Sequence, residues 1–433
     1  MSTFELAQPV ATERGQAMHQ WMAELYPICR SITGDGLRET LGLIGQQIPL
    51  EVKGVRSGTQ VFDWTINDEW NVRDAYIADL DGHRLVDFRA HNLHLVNYSV
   101  PVRDRLSLEE LRPHLHTLPE HPDWIPYRTT YYSRSWGFCL PHLRLETLGA
   151  GPFDVMIDTS LAPGELNYGE LVIPGEEEAE VIISAHVCHP SLANDNLSGI
   201  AVATELAKAL LAAGHRRYTY RFLFAPGTIG SIAWLSEHPD DWPRVRHGLV
   251  LTGLGGAGRL VYKRTRHGSR LIDRAAAHVV DRSGGEIRDY SPYGYDERQY
   301  NSVGFDLPVG RLSRTPHGEY PEYHTSADNL DFVTAEELGA SYEAVWEIIQ
   351  ILERDRTYRN LSPYGEPQLG KRGLYPTVGG RAANDAVMAM LWTLGYSDGQ
   401  HSLLHIAEVS ALDFNSIDEA VGKLVGAHLL ERI

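Results

Sequence analysis

Residues 180–211 restrict the folds open to this chain more tightly than any other stretch. Glu180-Val181-Ile182-Ile183-Ser184-Ala185 is an apolar run long enough for one buried strand, and the alanine- and leucine-rich residues 200–211 read as a helix. Between them lies His186-Val187-Cys188-His189-Pro190-Ser191-Leu192-Ala193-Asn194-Asp195-Asn196-Leu197-Ser198-Gly199. A histidine therefore stands where a strand ends, and an aspartate where a helix begins. Open parallel sheets bind ligands at the carboxyl ends of their strands. Imidazole and carboxylate delivered there are the donors a divalent metal needs first. A polar loop with a helix cap at Asn194 or Asp195 is the plain alternative. Two histidines, a cysteine and an aspartate between 186 and 195 favour the metal.

The rest of the chain supplies a scaffold for such a module. Strands read at 155–157, 170–173, 181–183, 221–224 and 248–251. Several alternate with helices near 198–213, 229–237, 269–283 and 335–354. This texture predicts an α/β core, a mostly parallel sheet with helices on both faces. Residues 14–30 and 37–46 read as leading helices. From 57 to 155, short alternating segments such as 84–88 and 93–98 are broken by Asp-Gly, proline and charges, which predicts an inserted β-rich domain. After Pro363 and Pro367, helices at 382–394, 402–410 and 416–425 and a closing strand at 429–433 read as a winged helix-turn-helix. The expected organisation is a metal-binding core at 1–56 and 156–362, an insertion at 57–155, and a winged unit at 363–433.

Charge and cysteine usage bound the partners. The net charge of −18 leaves no basic footprint for nucleic acid or an anionic membrane. Residues 366–433 carry five Lys/Arg against eight Asp/Glu, with Asp418 and Glu419 near the start of the presumed recognition helix. Three cysteines suit reduced thiols, the first ten residues resemble no signal peptide, and no apolar run spans a membrane, so a cytoplasmic location is expected. The expected partner is a small-molecule or peptide-like substrate, with a homo-oligomer left open.

The strand, the histidine, the short loop, Asn-Asp-Asn-x-Ser-Gly and the helix together resemble the zinc aminopeptidases of the bacterial leucine-aminopeptidase type. Their relatives include glutamate carboxypeptidases and glutaminyl cyclases. A closer resemblance is to a group of bacterial aminopeptidase-like proteins with an inserted domain and a C-terminal winged helix. Residues 61–65, 69–76, 296–300, 318–331 and 373–377 belong to the same pattern. The resemblance implies a zinc-aminopeptidase-like fold over nearly the whole chain. It also implies His186, Asp195 and His324 as metal ligands, with Asp195 in the position of the bridging aspartate.

Two carboxylates that this resemblance leads one to expect are missing. The turn 224–231 has none near Gly227, and the turn 251–258 has none near Gly256. Three ligands suit one divalent metal with an open position, zinc first and iron(II) second, rather than a cocatalytic pair. Proton transfer then falls to Asp296, Glu297 or Glu322, with Arg298, Tyr300 and His189 expected at the substrate. An internal salt-bridge network is the alternative for Asp296-Glu297-Arg298. Cys188 is disfavoured as a nucleophile, because a histidine held by a metal cannot serve as its base. The expected function is metal-dependent hydrolysis, of aminopeptidase or amidohydrolase type, of an amide bond in a small amino-acid-derived substrate. The rivals are a catalytically silent metal- or ligand-binding scaffold, a single-metal zinc or iron enzyme of non-peptidase chemistry, and a DNA-binding regulator.

Overall fold

A computed structural model of the protein describes residues 11–375 and 381–433; Pro376 and Thr377 of the 373–377 motif lie outside the described residues. The chain divides into two compact units: residues up to 273 together with 280–345, and residues 274–279 together with 346–433.

An eight-stranded mixed sheet organises the first unit. Its centre is four parallel strands in the spatial order Tyr218–Ala225, Glu177–His186, Val245–Leu251 and Val309–Ser313. Glu177–His186 lies inside this set, and every residue from Glu180 onward is buried, as a strand covered on both faces requires. Parallel neighbours need crossovers. The helices Gly199–Ala212 and Ile229–Glu237 supply two of them. Antiparallel strands extend one edge (Glu165–Ile173, then Glu51–Arg56), and Val261–Lys263 with Glu286–Arg288 extends the other. The α/β class expected from the sequence is the one observed. Because the central strands run the same way, His186, Ala225 and Leu251 emerge at one end of the sheet.

The insertion forms a four-stranded antiparallel sheet in the order Arg84–Asp87, Glu69–Ala78, Phe153–Ala162 and Val102–Leu106. This corrects one boundary. Residues 155–157 were expected in the main sheet, but Val155 and Ile157 pair with Ile77 and Ala75 of the insertion. The alternating burial of Phe153–Ala162 identifies a strand covered on one face, without saying which sheet it joins. Trp70, Ile77, Val155 and Ile157 share one buried cluster with Ile182, Leu223 and Val250, so insertion and core are welded together.

The second unit is a winged helix. The helices Arg381–Tyr396, Leu403–Ser410 and Phe414–Gly426 accompany a three-stranded sheet in the order Asp398–Ser402, Thr357–Asn360, Leu430–Arg432. Ser402 and Asp413 cap the last two helices, each accepting a backbone N–H with its side chain. Phe414, Ile417, Ala420, Val421 and Leu424 form the buried stripe of the last helix. Thr357–Asn360 is the middle strand of this sheet, so the unit begins before the expected residue 363. No helix among the described residues is long and apolar enough to cross a membrane.

Candidate metal centre

His186 is the last residue of its strand and Asp195 sits in the bend before helix Gly199–Ala212; each is 1% exposed. The polar residues around Asp195 fix the bend. Asn194 Oδ1 accepts the N–H groups of Gly255 (2.9 Å) and Gly256 (3.2 Å), and Asn196 Oδ1 accepts those of Gly199 and Gly253. Ser198 Oγ donates to Asn194 O (2.6 Å) and accepts from Leu254 N (2.9 Å). Gly199 is required by close approach, since a Cβ there would lie 2.4 Å from Leu251 O. Asp328, fully buried, accepts Asn194 N at 2.6 Å and Asp195 N at 3.0 Å on its two carboxylate oxygens. The asparagine-rich motif is thus a frame that aims one carboxylate.

That carboxylate meets three histidines. Asp195 Oδ1 is 2.7 Å from His186 Nε2, while Oδ2 is 3.0 Å from His324 Nε2 and 4.0 Å from His189 Nε2. One donor atom from each of His186, His189 and Asp195 lies within 4.8 Å of the others. The structure therefore brings together the three expected ligands, and it places His189, expected at the substrate, in the same cluster. Burial opposes the Asp195 charge, but His189, His186 and His324 more than reverse this and hold the carboxyl well below its ordinary value. Burial pushes His189 down to about 3, which leaves its ring neutral and able to coordinate. His186, His189 and Asp195 could hold one divalent cation, with His324 on the other carboxylate oxygen of Asp195 and outside that set.

Aromatic side chains wall the cluster. Tyr295 stacks on His186 (centroids 4.7 Å, 16°) and Tyr323 on His324 (3.9 Å, 16°), and their hydroxyls bond at 3.1 Å. Tyr127, from the insertion, presents an edge to both His189 (5.2 Å) and His324 (5.0 Å). Its backbone N–H donates to His324 O at 2.8 Å. His324 has φ +56°, a left-handed conformation that costs a non-glycine residue about 1 kcal/mol or more. The bond from Tyr127 helps to hold it there.

Asp296 is 1% exposed; Oδ1 accepts Ser231 Oγ at 3.0 Å and Oδ2 has no partner. A Cβ added at Gly227 would lie 3.1 Å from His186 Cβ and 3.7 Å from Asp296 Oδ1. Asp296 thus faces the Gly227 turn, where the expected glutamate is absent. Burial raises its carboxyl to about 6 against partial relief from His186 and Ser231. At the other bare turn, a Cβ on Gly256 would lie 3.0 Å from the Phe332 ring, so that volume is already filled.

Two expectations are corrected. Glu297 was a proton-transfer candidate, but it is fully buried between Lys263 (2.9 Å) and Arg311 (3.6 Å). Adjacent residues on a helix face different ways. Tyr300 was expected at the substrate, but it is a core residue whose hydroxyl donates to Ser184 Oγ at 3.1 Å. Arg298 is half-buried with Nε unbonded. Glu322 is half-buried, and its backbone carbonyl accepts from Thr325 Oγ1 at 2.7 Å. Burial raises the Cys188 thiol above its ordinary value, the opposite of what a nucleophile needs. Sequence reasoning missed Tyr127 and Asp328. Asp328 lay within the motif at 318–331, whereas nothing in the sequence around Tyr127 marked it.

The profile of a family described as a domain of unknown function, DUF4910, matches residues 19–355, and a winged helix-turn-helix profile matches 356–432. A Clostridium acetobutylicum protein is 46% identical over 426 residues, covering 98% of both chains. It is named as a candidate polysaccharide biosynthesis protein with an aminopeptidase-like domain. The crystal structure of a candidate peptidase from the same organism superposes with TM-score 0.93 at 45% identity, over 98% of this chain and 97% of that one. A zinc aminopeptidase from Bacillus subtilis shares the fold at TM-score 0.55 and 14% identity, over 80% of this chain and 96% of that one. The frame around Asp195 thus sits in a widely shared scaffold, and the chain belongs to the DUF4910 family of aminopeptidase-like proteins with a C-terminal winged helix.

Proposed function

We propose that the protein is a single-metal hydrolase cleaving an amide bond in a small, amino-acid-derived or comparable biosynthetic substrate in the cytoplasm. The observation that carries this reading is the buried Asp195 facing three histidines, while the Gly227 and Gly256 turns carry no carboxylate of their own and only Asp296, from another segment, faces the first of them. Asp195, His186 and His189 make three mutually close donors, a number that suits one divalent ion with an open position. Zinc is our reading because the fold is shared with a zinc enzyme; iron(II) also suits two histidines and a carboxylate. The relative's name joins an aminopeptidase-like domain to polysaccharide biosynthesis, which supports a small biosynthetic substrate over a protein one.

A bound ion supplies Lewis acidity toward water and a carbonyl oxygen. The chain's own residues do the remainder. Asp195, held by Asp328, orients His186 and His324. The rings of Tyr127, Tyr295 and Tyr323 narrow the space around the cluster. Asp296, whose Oδ1 lies toward the Gly227 turn and whose Oδ2 is free of hydrogen bonds, takes a proton from the attacking water and returns it to the leaving nitrogen. Elemental analysis after zinc loading and dialysis should give close to one equivalent. Two full equivalents in a pair about 3.5 Å apart would overturn the single-metal reading.

A further inference from the structure

A cleft of about 420 Å³ opens in the insertion, lined among others by Asn67, Asp68, Tyr98, Tyr131, Tyr132 and Arg134. Its volume is in the range of small-molecule sites. We propose that this cleft is a saccharide-binding subsite that presents a sugar-borne amide to the metal cluster. The amide rests on the hydrolase reading above; the sugar does not.

A pyranose offers a flat C–H face rimmed by hydroxyls, so it needs aromatic surface beside uncharged or internally paired polar groups. The cleft supplies both. Tyr132 is 59% exposed and packs at 5.3 Å against Trp64, which is 42% exposed, leaving two large rings open to solvent at one rim. Asn67, which lines the cleft, donates Nδ2–H to Tyr131 O, while its buried Oδ1 has no hydrogen-bond partner among the described residues and can accept from a hydroxyl once the amide turns toward the cleft. Asp68 and Arg134 lie 3.4 Å apart and cancel in charge. A phosphate or carboxylate would therefore find no unpaired cation among these residues, and an acyl chain would leave the polar heads of Asn67, Asp68 and Arg134 unmatched.

The cleft also adjoins the chemistry. Tyr131 lines it and bonds through its hydroxyl to Tyr127 Oη at 2.7 Å. Tyr127 in turn presents its edge to His189 and His324. The hydroxyl-bonded pair Tyr131 and Tyr127 stands between the two sites.

Saturation-transfer NMR on the full-length protein, with and without EDTA, tests this against N-acetylglucosamine, N-acetylgalactosamine, N-acetylmannosamine and, as an amide without a sugar, N-acetylalanine amide. At least one hexosamine should bind at millimolar concentration in both conditions, while the alanine amide should not bind under EDTA. Tyr132→Ala should weaken the sugar about five- to tenfold, the scale of one lost aromatic contact. Asn67→Ala should weaken it as well, and Leu80→Ala, at an exposed position elsewhere, should not. Absence of hexosamine binding, or binding indifferent to Tyr132→Ala and Asn67→Ala, overturns the proposal. Metal content and amide cleavage measured on the same samples separate the two readings. Sugar binding by a protein that takes up no zinc on loading and cleaves no amide sinks the hydrolase alone; zinc uptake without sugar binding sinks the cleft alone.

Discussion

Replacing Glu297 with glutamine tests whether this residue is structural or catalytic. Its side chain is fully buried, and Lys263 and Arg311 around it are only 3% and 4% exposed. At an effective dielectric of about 20, contacts of 2.9 and 3.6 Å are worth roughly 6 and 5 kcal/mol before desolvation and the repulsion between the two cations. Glutamine keeps the shape but strands two buried positive charges, a loss of about 3–5 kcal/mol. Lys263 retains Tyr293 O at 2.7 Å and Arg311 retains His317 Nδ1 at 3.1 Å, neither of which neutralises charge. In a unit of this size such a loss lowers the thermal midpoint by roughly 5–10 °C. Differential scanning fluorimetry reads the shift, with metal content as the control. Glu297→Gln should bind metal as the parent does, and adding Lys263→Met should recover part of the stability. A variant as stable as the parent but inactive would refute the argument and return Glu297 to the proton-transfer role.

Four further outcomes are expected. His186→Ala, His189→Ala, Asp195→Ala and His324→Ala should each lower zinc occupancy with the fold retained by circular dichroism; full occupancy in any of them removes that residue from the site. Gly227→Ala presses a Cβ onto His186 at 3.1 Å and should weaken metal binding about tenfold, so Gly227→Glu should not raise activity above the parent's; tighter zinc binding in a competition titration would contradict this. Glu170 is opposed by its own burial but is brought by Lys53, Arg221 and Trp234 to about 2, below its ordinary 4.5. Its contribution is therefore complete above about pH 4.5 and is lost as pH falls through 2, and Glu170→Gln should flatten the acid limb of urea-midpoint measurements; an unchanged limb would exclude it as a source. The full-length protein should not shift the anisotropy of random duplex DNA at low salt, because the winged unit is acidic and Asp418 is bound to Arg354 at 2.9 Å; micromolar, salt-sensitive binding would revive the regulator.

What the sequence made legible was local. The strand, loop and helix of 180–211 could be read from apolar runs and composition, and His186 and Asp195 came with them because nine positions separate them. His324 stands 129 positions from Asp195, and only the likeness of its motif to a known family connected the two. Spacing misled where neighbours diverge. Asp296 and Glu297 are adjacent, yet one faces the Gly227 turn and the other a buried ion pair. The apolar run 155–157 read as a strand of the main sheet, but its partners are set by packing far along the chain. Tyr127 was invisible because its role depends on a backbone bond to a segment that no local pattern announces.

The seam between Tyr127 and His324 has a consequence for how the protein is made. Ile125 and Ser326, which bond to each other at this seam, lie 201 positions apart, and closing so long a loop comes late in folding. During synthesis His186, His189 and Asp195 leave the ribosome well before His324, and until the later segment docks the nascent chain offers an incomplete and unwalled set of donors. The full set of donors around Asp195 is therefore a property of the folded tertiary structure and not of the 186–195 segment alone.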